Sequence, residues 1–293
     1  MKHAIDHLVL CVDDLDRARR FYEALGFRLT PRAQHPFGTA NHLAQLQGSF
    51  LELLAVADRA RIPAAQPGYF NFAAFAAAFL GRHQGLSMLV FPSDDARADQ
   101  RQFLARGLET YAPFDFSRKA SLPDGGEAVV GFSLAFVTNR AMPETAFFVC
   151  QQHAPEHFWK PEFQRHENGA VAAVEALMVA EAPRELADFF GRLVEPRRVG
   201  EDANALHVHL DGAAITVLDR AHFKARFPTA DHDAGGEGPR FAGYGVAVTD
   251  LARVETILRQ NEIPFRRAGD RLHVSDRDAF GTVIEFSAGG ASP

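Results

Sequence analysis

The sequence has few cysteines and no long apolar run. Cys11 and Cys150 are its only cysteines in 293 residues, which excludes a disulfide scaffold and favours a reducing compartment. No stretch reaches the roughly 18 apolar residues of a membrane-spanning helix. The short apolar run near the N-terminus carries Asp6 and His7, so it does not resemble a signal peptide. We therefore expect a cytoplasmic protein that does not contact a membrane.

Basic residues are also fewer than acidic residues. Lys and Arg number 31 against 37 Asp and Glu, which gives a formal net charge of −6. Because negative charge is in excess, we expect no basic face that could bind nucleic acid. Hydrophobic residues at 47% and charged residues at 23% are ordinary for a globular protein, so the composition excludes disordered and collagen-like chains. The 26 Phe residues predict a Phe-rich core or, alternatively, several apolar cavities.

A strand-helix-strand pattern recurs along the chain. Residues 5–12 form an apolar run typical of a strand, Asp14 is placed to cap the helix that follows, and Gly26 is placed to end that helix. Three short strands are then predicted over 27–30, 40–46 and 50–55. Units with the same order begin near residues 86, 174 and 244, and the unit near 86 is the least clear.

Each βαβββ unit leaves one face of its sheet uncovered, because its single helix covers only the other face. Two units side by side would form a curved sheet with a cleft. The sequence therefore predicts an α+β fold in which four βαβββ modules pair into two domains with curved mixed sheets. We place these domains at residues 1–155 and 172–290, with a linker over 156–171.

Three segments of the first unit carry a resemblance to a known superfamily. The runs IDHLVLCVDDLDRARRFYEALGF, GTANHLAQL and FLELLAV resemble the vicinal oxygen chelate superfamily in its glyoxalase-like branch. The segment HENGA at 166–170 resembles a linker of that branch, except that Glu167 stands where proline is expected. The resemblance implies paired modules that each cup one metal site. The superfamily contains lyases, isomerases, extradiol dioxygenases and metal-free binding proteins, so its fold alone does not define a reaction.

His7 and Glu52 are the strongest candidate site residues. His7 alternates with apolar residues on the first strand, and Glu52 interrupts the apolar run FLELL. A buried carboxylate needs a counter-charge, and a divalent cation such as Zn, Mn, Ni or Fe can supply one. The resemblance places metal ligands on the first and last strands of a module, where these two residues lie. The alternative is that His7 is a hydrogen-bonded core residue.

Further ligands would have to come from the paired module. His153, at the end of its last strand, is the best candidate for a third metal ligand. Cys150 could be a soft ligand, although a buried thiol acting as a small apolar group is favoured. Asn41 and His42 are candidates for contact with substrate. The histidines, Trp159 and Lys160 between residues 153 and 166 either anchor the linker or close over the cleft.

The second pair of modules lacks the first-strand histidines that extradiol dioxygenases of this superfamily use. Glu285 matches Glu52 in position, but it is interpreted as a structural carboxylate. Ring cleavage is therefore disfavoured.

Two functions remain open at this point. The first is a metal-dependent lyase or isomerase acting on a small molecule with adjacent oxygens, in which the cation acts as a Lewis acid and Glu52 is the catalytic proton carrier. The second is a metal-free binding or resistance protein of the same fold. The expected partner is a small-molecule substrate, and a homodimer is left open by the sequence.

Overall fold

Two β-sheets, each built from two of the predicted units, form the framework of the protein. The computed structural model describes residues 1–121, 126–231 and 238–289. The N-terminal sheet contains β1 (His7–Cys11), β2 (Ala33–Gln34), β3 (Thr39–Gln45), β4 (Phe50–Val56), β5 (Gly85–Pro92), β6 (Glu109–Thr110), β7 (Phe114–Ser121), β8 (Glu127–Thr138) and β9 (Ala146–Gln152). The C-terminal sheet contains β10 (Ala170–Val179), β11 (Val199–Glu201), β12 (Ala205–Leu210), β13 (Ala213–Leu218), β14 (Arg240–Val248), β15 (Arg266–Ala268), β16 (Arg271–Val274) and β17 (Val283–Ala288).

Seven α-helices connect or cover these strands within the described ranges. They are α1 (Leu15–Ala24), α2 (Phe72–Leu80), α3 (Ala96–Ala105), α4 (Pro155–Phe158), α5 (Ala187–Leu193), α6 (Arg220–Arg226) and α7 (Leu251–Gln260). Among the residues the structure describes, none of these helices has both the length and the apolar character needed to cross a bilayer.

The two sheets repeat one topology. In the N-terminal sheet β1 runs parallel to β4 and antiparallel to β5, and β5 runs parallel to β9. In the C-terminal sheet β10, β13, β14 and β17 are related in the same way. This repetition confirms the predicted α+β class with paired modules and two mixed sheets. β10 begins at Ala170, two residues before the predicted start of the second domain, and the domain limits themselves stay a prediction.

Short local signals set the limits of the first helix. The carboxylate of Asp14 accepts a hydrogen bond from the backbone N–H of Arg17 and caps α1. Asp95 and Asp250 cap α3 and α7 in the same way. After α1, Gly26 has φ +87°, and a Cβ at this position would lie 2.9 Å from Cβ of Asn168. Only glycine meets both conditions without strain.

Several elements differ from the sequence prediction, among them three in the N-terminal half. The strand expected over 27–30 does not form, because Pro31 cannot donate to a ladder; Thr30 makes isolated bonds to Leu43 instead, and β2 begins at Ala33. Helix α2 was not predicted, since its sequence FAAFAAAFL is apolar on every face and shows no helical period. Strand β7 was also missed, in the unit whose pattern was least clear.

Side chains alternate between the two faces of β1 and so enter two separate apolar clusters of the interior. Leu8 and Leu10 enter a large core that also contains residues of the C-terminal sheet. In this core the hydroxyls of Tyr22 and Tyr244 lie 2.8 Å apart, so it joins the two halves. Val9 and Cys11 face the opposite side of the sheet, in a separate Phe-rich cluster. That second face holds the candidate site.

Candidate functional site

The register of two parallel strands brings His7 and Glu52 together. β1 pairs with β4 so that Val9 lies opposite Glu52 and His7 opposite Phe50. Because side chains alternate with a period of two, His7 and Glu52 then lie on the same face. Both are buried, and Nε2 of His7 lies 3.8 Å from Oε2 of Glu52.

Asp6 determines how the His7 ring is oriented. Oδ1 of Asp6 lies 2.5 Å from Nδ1 of His7, and an ionised carboxylate can only accept a hydrogen bond. Nδ1 therefore acts as the donor to Asp6, and Nε2 points toward Glu52. A proton or a cation between Nε2 and the carboxylate would stabilise two such groups in a buried site. A histidine that donates its other N–H to a carboxylate is the usual arrangement of a metal ligand.

Asn41, on the neighbouring strand β3, adds a third polar group. Its Nδ2 donates to Oε1 of Glu52 over 2.5 Å. Its Oδ1 is buried and has no hydrogen-bond partner among the described residues. A buried acceptor without a partner costs stability. The amide oxygen is therefore available to a ligand or a cation.

These three residues line a small cavity with aromatic walls. The cavity volume is about 40 Å³, which is room for about one or two water-sized groups. The His7 ring stacks on Phe50 at 4.2 Å and meets the edge of Phe148 at 5.5 Å. Apolar walls of this kind exclude water and strengthen every electrostatic interaction inside.

His35 and Arg118 lie at the edge of the cavity, and neither was predicted as a site residue. Burial, together with the charge of Arg118, lowers the pKa of His35 to about 3, so His35 is neutral near pH 7. Burial also lowers the pKa of Arg118, and the charge of Glu52 opposes that change. The available signal was the alternation of Phe114, Phe116 and Arg118 along β7, a strand that the sequence did not predict.

The other candidate residues have different environments. Cys150 lines the cavity, and burial, with the charges of Asp6 and Glu52, raises the pKa of its thiol well above the usual value. Nε2 of His153 pairs with the Ser133 hydroxyl at 2.8 Å, and this ring lines a separate surface depression. Nδ1 of His42 lies 2.7 Å from the carbonyl of Thr30. The structure thus brings together His7, Glu52 and Asn41, but not His153 or His42.

The donor set fits a cation held partly by an amide. Among the residues that the structure describes, no group of three or more His, Cys, Asp or Glu side chains is placed to hold a metal ion. With Oδ1 of Asn41, however, the cavity offers one nitrogen donor and two kinds of oxygen donor. Two metal–ligand bonds of about 2.1 Å span at most about 4.2 Å. The 3.8 Å between His7 and Glu52 lies within that limit.

On the corresponding face of the C-terminal sheet, basic side chains of the same chain surround the carboxylate of Glu285. Glu285 pairs with Arg226 at 2.7 Å, with His273 at 2.8 Å and also with Arg271. Arg226, from α6, also pairs with Glu175 at 2.6 Å. Burial alone would raise the pKa of Glu285, but the bond from His273 and the two guanidinium groups lower it to about 2. The charge of this carboxylate is therefore balanced within the chain.

The linker between the two sheets is anchored to the N-terminal half, and part of it borders the cleft. Nε2 of His166 lies 2.7 Å from the carbonyl of Gln45, and Nδ1 of His166 accepts a bond from the N–H of Arg28. Trp159 packs against Phe50. Lys160 instead lines an open groove beside the cavity.

Comparisons with known proteins support this fold. A family model described as a glyoxalase-like domain matches residues 5–194. A comparison with curated proteins finds no match. Among solved structures, a hypothetical protein from Staphylococcus aureus is similar with a TM-score of 0.68 and 13% identity, over 97% of this chain and 98% of that one.

Two further solved structures are similar. One is a mutant of 4-hydroxymandelate synthase from Streptomyces coelicolor, with a TM-score of 0.58 and 13% identity, over 99% of this chain and 95% of the other. The other is a fusion of a xylose isomerase-like TIM barrel with a 4-hydroxyphenylpyruvate dioxygenase, with a TM-score of 0.55 and 12% identity, over the whole of this chain and 50% of the other. At these identities the likeness is one of fold. The family match covers more than half of the sequence, and the chain belongs to the glyoxalase-like domain family.

Proposed function

We propose that the chain is a metal-dependent lyase or isomerase that acts on a small molecule with adjacent oxygens. Nε2 of His7, the carboxylate of Glu52 and Oδ1 of Asn41 would hold the cation, so Asn41 takes the place first assigned to His153. Zn, Mn, Ni and Fe all accept such nitrogen and oxygen donors. The observation that carries the proposal is the position of Nε2 of His7, which the contact of Nδ1 with Asp6 directs toward a carboxylate 3.8 Å away.

The bound cation would supply Lewis-acid polarisation of a substrate oxygen. The residues of the chain have separate tasks. Asp6 keeps the His7 ring in one tautomer, and Asn41 holds one oxygen of Glu52 in place. Glu52 would take up a proton and return it only when its Oε2 has left the cation, because Oε1 accepts the bond from Asn41. The surrounding Phe rings keep bulk water away while the charge moves.

One observation favours the alternative, a metal-free binding protein. Seven of the fifteen residues that line the cavity are phenylalanines, and the third donor is a neutral amide. In that case His7 and Glu52 would share a proton, and the ligand would be held by apolar contact.

Thermal melting separates the two functions. Wild type and Glu52→Gln are melted with a chelator and with added zinc, manganese or nickel. The enzyme proposal expects the wild type to melt higher with at least one metal, and expects Glu52→Gln to lose most of that increase. It also expects Glu52→Gln to be no less stable than wild type in the presence of chelator, since a buried carboxylate is removed and the oxygen of glutamine can still accept the bond from Asn41. A wild type that does not respond to any of these metals would contradict metal binding and favour the binding protein.

A further inference from the structure

An open groove beside the cavity has a strongly one-sided charge. It has a volume of about 480 Å³, and its lining contains five Arg and Lys residues and two histidines but no Asp or Glu. The five cationic residues are Arg32, Arg61, Arg118, Lys119 and Lys160. The whole chain carries a formal charge of −6. A positive concave surface on a negatively charged protein concentrates field lines and attracts anions.

The groove and the cavity adjoin each other. Four residues line both, namely His35, Leu43, Arg118 and Phe158. Arg118 is partly buried where they meet, and its charge and that of Glu52 act on each other. A molecule in the groove can therefore extend to the His7–Glu52 site past this guanidinium.

Two of the arginines have donors available for a ligand. Nη1 of Arg118 makes a 3.3 Å contact to the carbonyl of Lys119, and Nε of Arg118 is buried without a partner among the described residues. Arg32 is exposed. In the described ranges neither has a carboxylate within the 4.0 Å of an ion pair, whereas Arg61 pairs with Asp58 at 3.3 Å. A partly buried guanidinium with unused donors favours a carboxylate or phosphate as its partner.

We propose that this groove binds the anionic end of the substrate, a carboxylate or phosphate group on an apolar stem. Arg118 and Arg32 bind the anionic group, and Phe158 contacts the stem. The opposite end, which carries the adjacent oxygens, reaches His7 and Glu52. Because the cavity holds only about 40 Å³, only the small end with the adjacent oxygens enters it. The assignment of this anion site to the substrate rests on the proposed function, but the binding of anions does not.

Calorimetric titration with three aromatic compounds tests the site. Phenyl phosphate and benzoate carry the two candidate anions, and phenol is the neutral reference. The protein is treated with chelator, so that a bound metal cannot act as the receptor for the anion. We expect at least one anion to bind about tenfold or more tightly than phenol, with an affinity that falls as salt is raised. The anion that binds more tightly identifies the chemical class of the group that the groove prefers.

Variants then locate the binding. Arg118→Gln should weaken the favoured anion about tenfold or more, and Arg32→Gln, which changes an exposed side chain, should weaken it by roughly threefold. The matched control is Arg101→Gln, an exposed arginine on α3 outside the groove, which should leave the affinity unchanged.

Equal affinity for phenol and both anions would overturn the proposal. It would also be overturned if Arg118→Gln and Arg32→Gln bound the anion as tightly as Arg101→Gln. Failure of the proposed function has a different signature, because anion binding would persist while no metal raised the melting temperature.

Discussion

Oδ1 of Asp6 lies 2.5 Å from Nδ1 of His7, and this contact directs the other ring nitrogen toward Glu52. The neighbour in sequence thus sets the chemistry of the candidate ligand. The same carboxylate also receives a longer bond, 3.4 Å, from Nε2 of Gln152 on β9. The orientation of His7 therefore depends on both modules of the N-terminal sheet.

Replacing Asp6 should weaken metal binding without removing a ligand. In Asp6→Asn the side chain can still accept a bond from His7, but the negative charge that strengthens the imidazole as a donor is lost. We expect affinity for the bound metal to fall about 10- to 100-fold, measured by competition with a chromogenic chelator. The control is Asp13→Asn, an exposed carboxylate, which should leave the affinity unchanged. Equal affinities in Asp6→Asn and wild type would contradict this role.

Metal content should depend on the N-terminal site alone. His7→Ala and Glu52→Gln each remove a proposed ligand, so both should lower the metal measured by elemental analysis of protein purified without an affinity metal. Glu285→Gln should not, because Glu285 is already paired with Arg226, Arg271 and His273. Similar metal loss in all three variants would mean that the site has been assigned to the wrong half.

The ion pairs around Glu285 should make the free energy of unfolding depend on pH. The folded pKa of Glu285, about 2, lies below its ordinary value of 4.5, so the unfolded chain binds the proton first as pH falls. The contribution of Glu285 is therefore complete above about pH 4.5 and lost as pH falls toward 2, and it is on the order of 3 kcal/mol. Urea unfolding between pH 7 and 3 should show a shallower acid decline in Glu285→Gln than in wild type. Glu185→Gln, at an exposed position, should reproduce the wild-type slope.

The two halves should be coupled through a pair of hydroxyls. Tyr22 and Tyr244 are fully buried, and their oxygens lie 2.8 Å apart. Tyr22→Phe or Tyr244→Phe alone leaves one hydroxyl unsatisfied and should cost about 1–3 kcal/mol. The double variant should cost less than the sum, by about 1 kcal/mol, in urea unfolding at neutral pH. Strictly additive losses would show that the two hydroxyls do not depend on each other.

Much of the fold could be predicted because its signals are local. Asp14, Asp95 and Asp250 each precede a helix that they cap, and the strands of the first, third and fourth units have clear apolar patterns. Helix α2 gave no such signal, since a helix of Phe and Ala has no polar face. Strand β7 is partly exposed and carries Arg118 and Lys119, so its polarity resembles that of a loop.

The candidate site was only partly accessible to sequence reasoning. His7 and Glu52 could be paired because each interrupts an apolar strand. Asn41 could be named, but its bond to Glu52 depends on the alignment of β3 against β4. Arg118 and His35 reach the cavity from separate strands and loops, and their proximity is a product of tertiary packing. His153 failed to reach it because its ring is held by Ser133.

The parallel alignment of β1 and β4 has a consequence for how this chain can change by mutation. Val9 lies opposite Glu52, and a shift of one residue would turn Glu52 to the helix-covered face. The hairpin that joins β3 to β4 turns at Gly48, whose left-handed conformation faces open space. A register shift would leave the strands and both sheets in place while removing Glu52 from the cavity. The candidate site is therefore easier to lose by mutation than the fold, and relatives with the same sheets need not share a reaction.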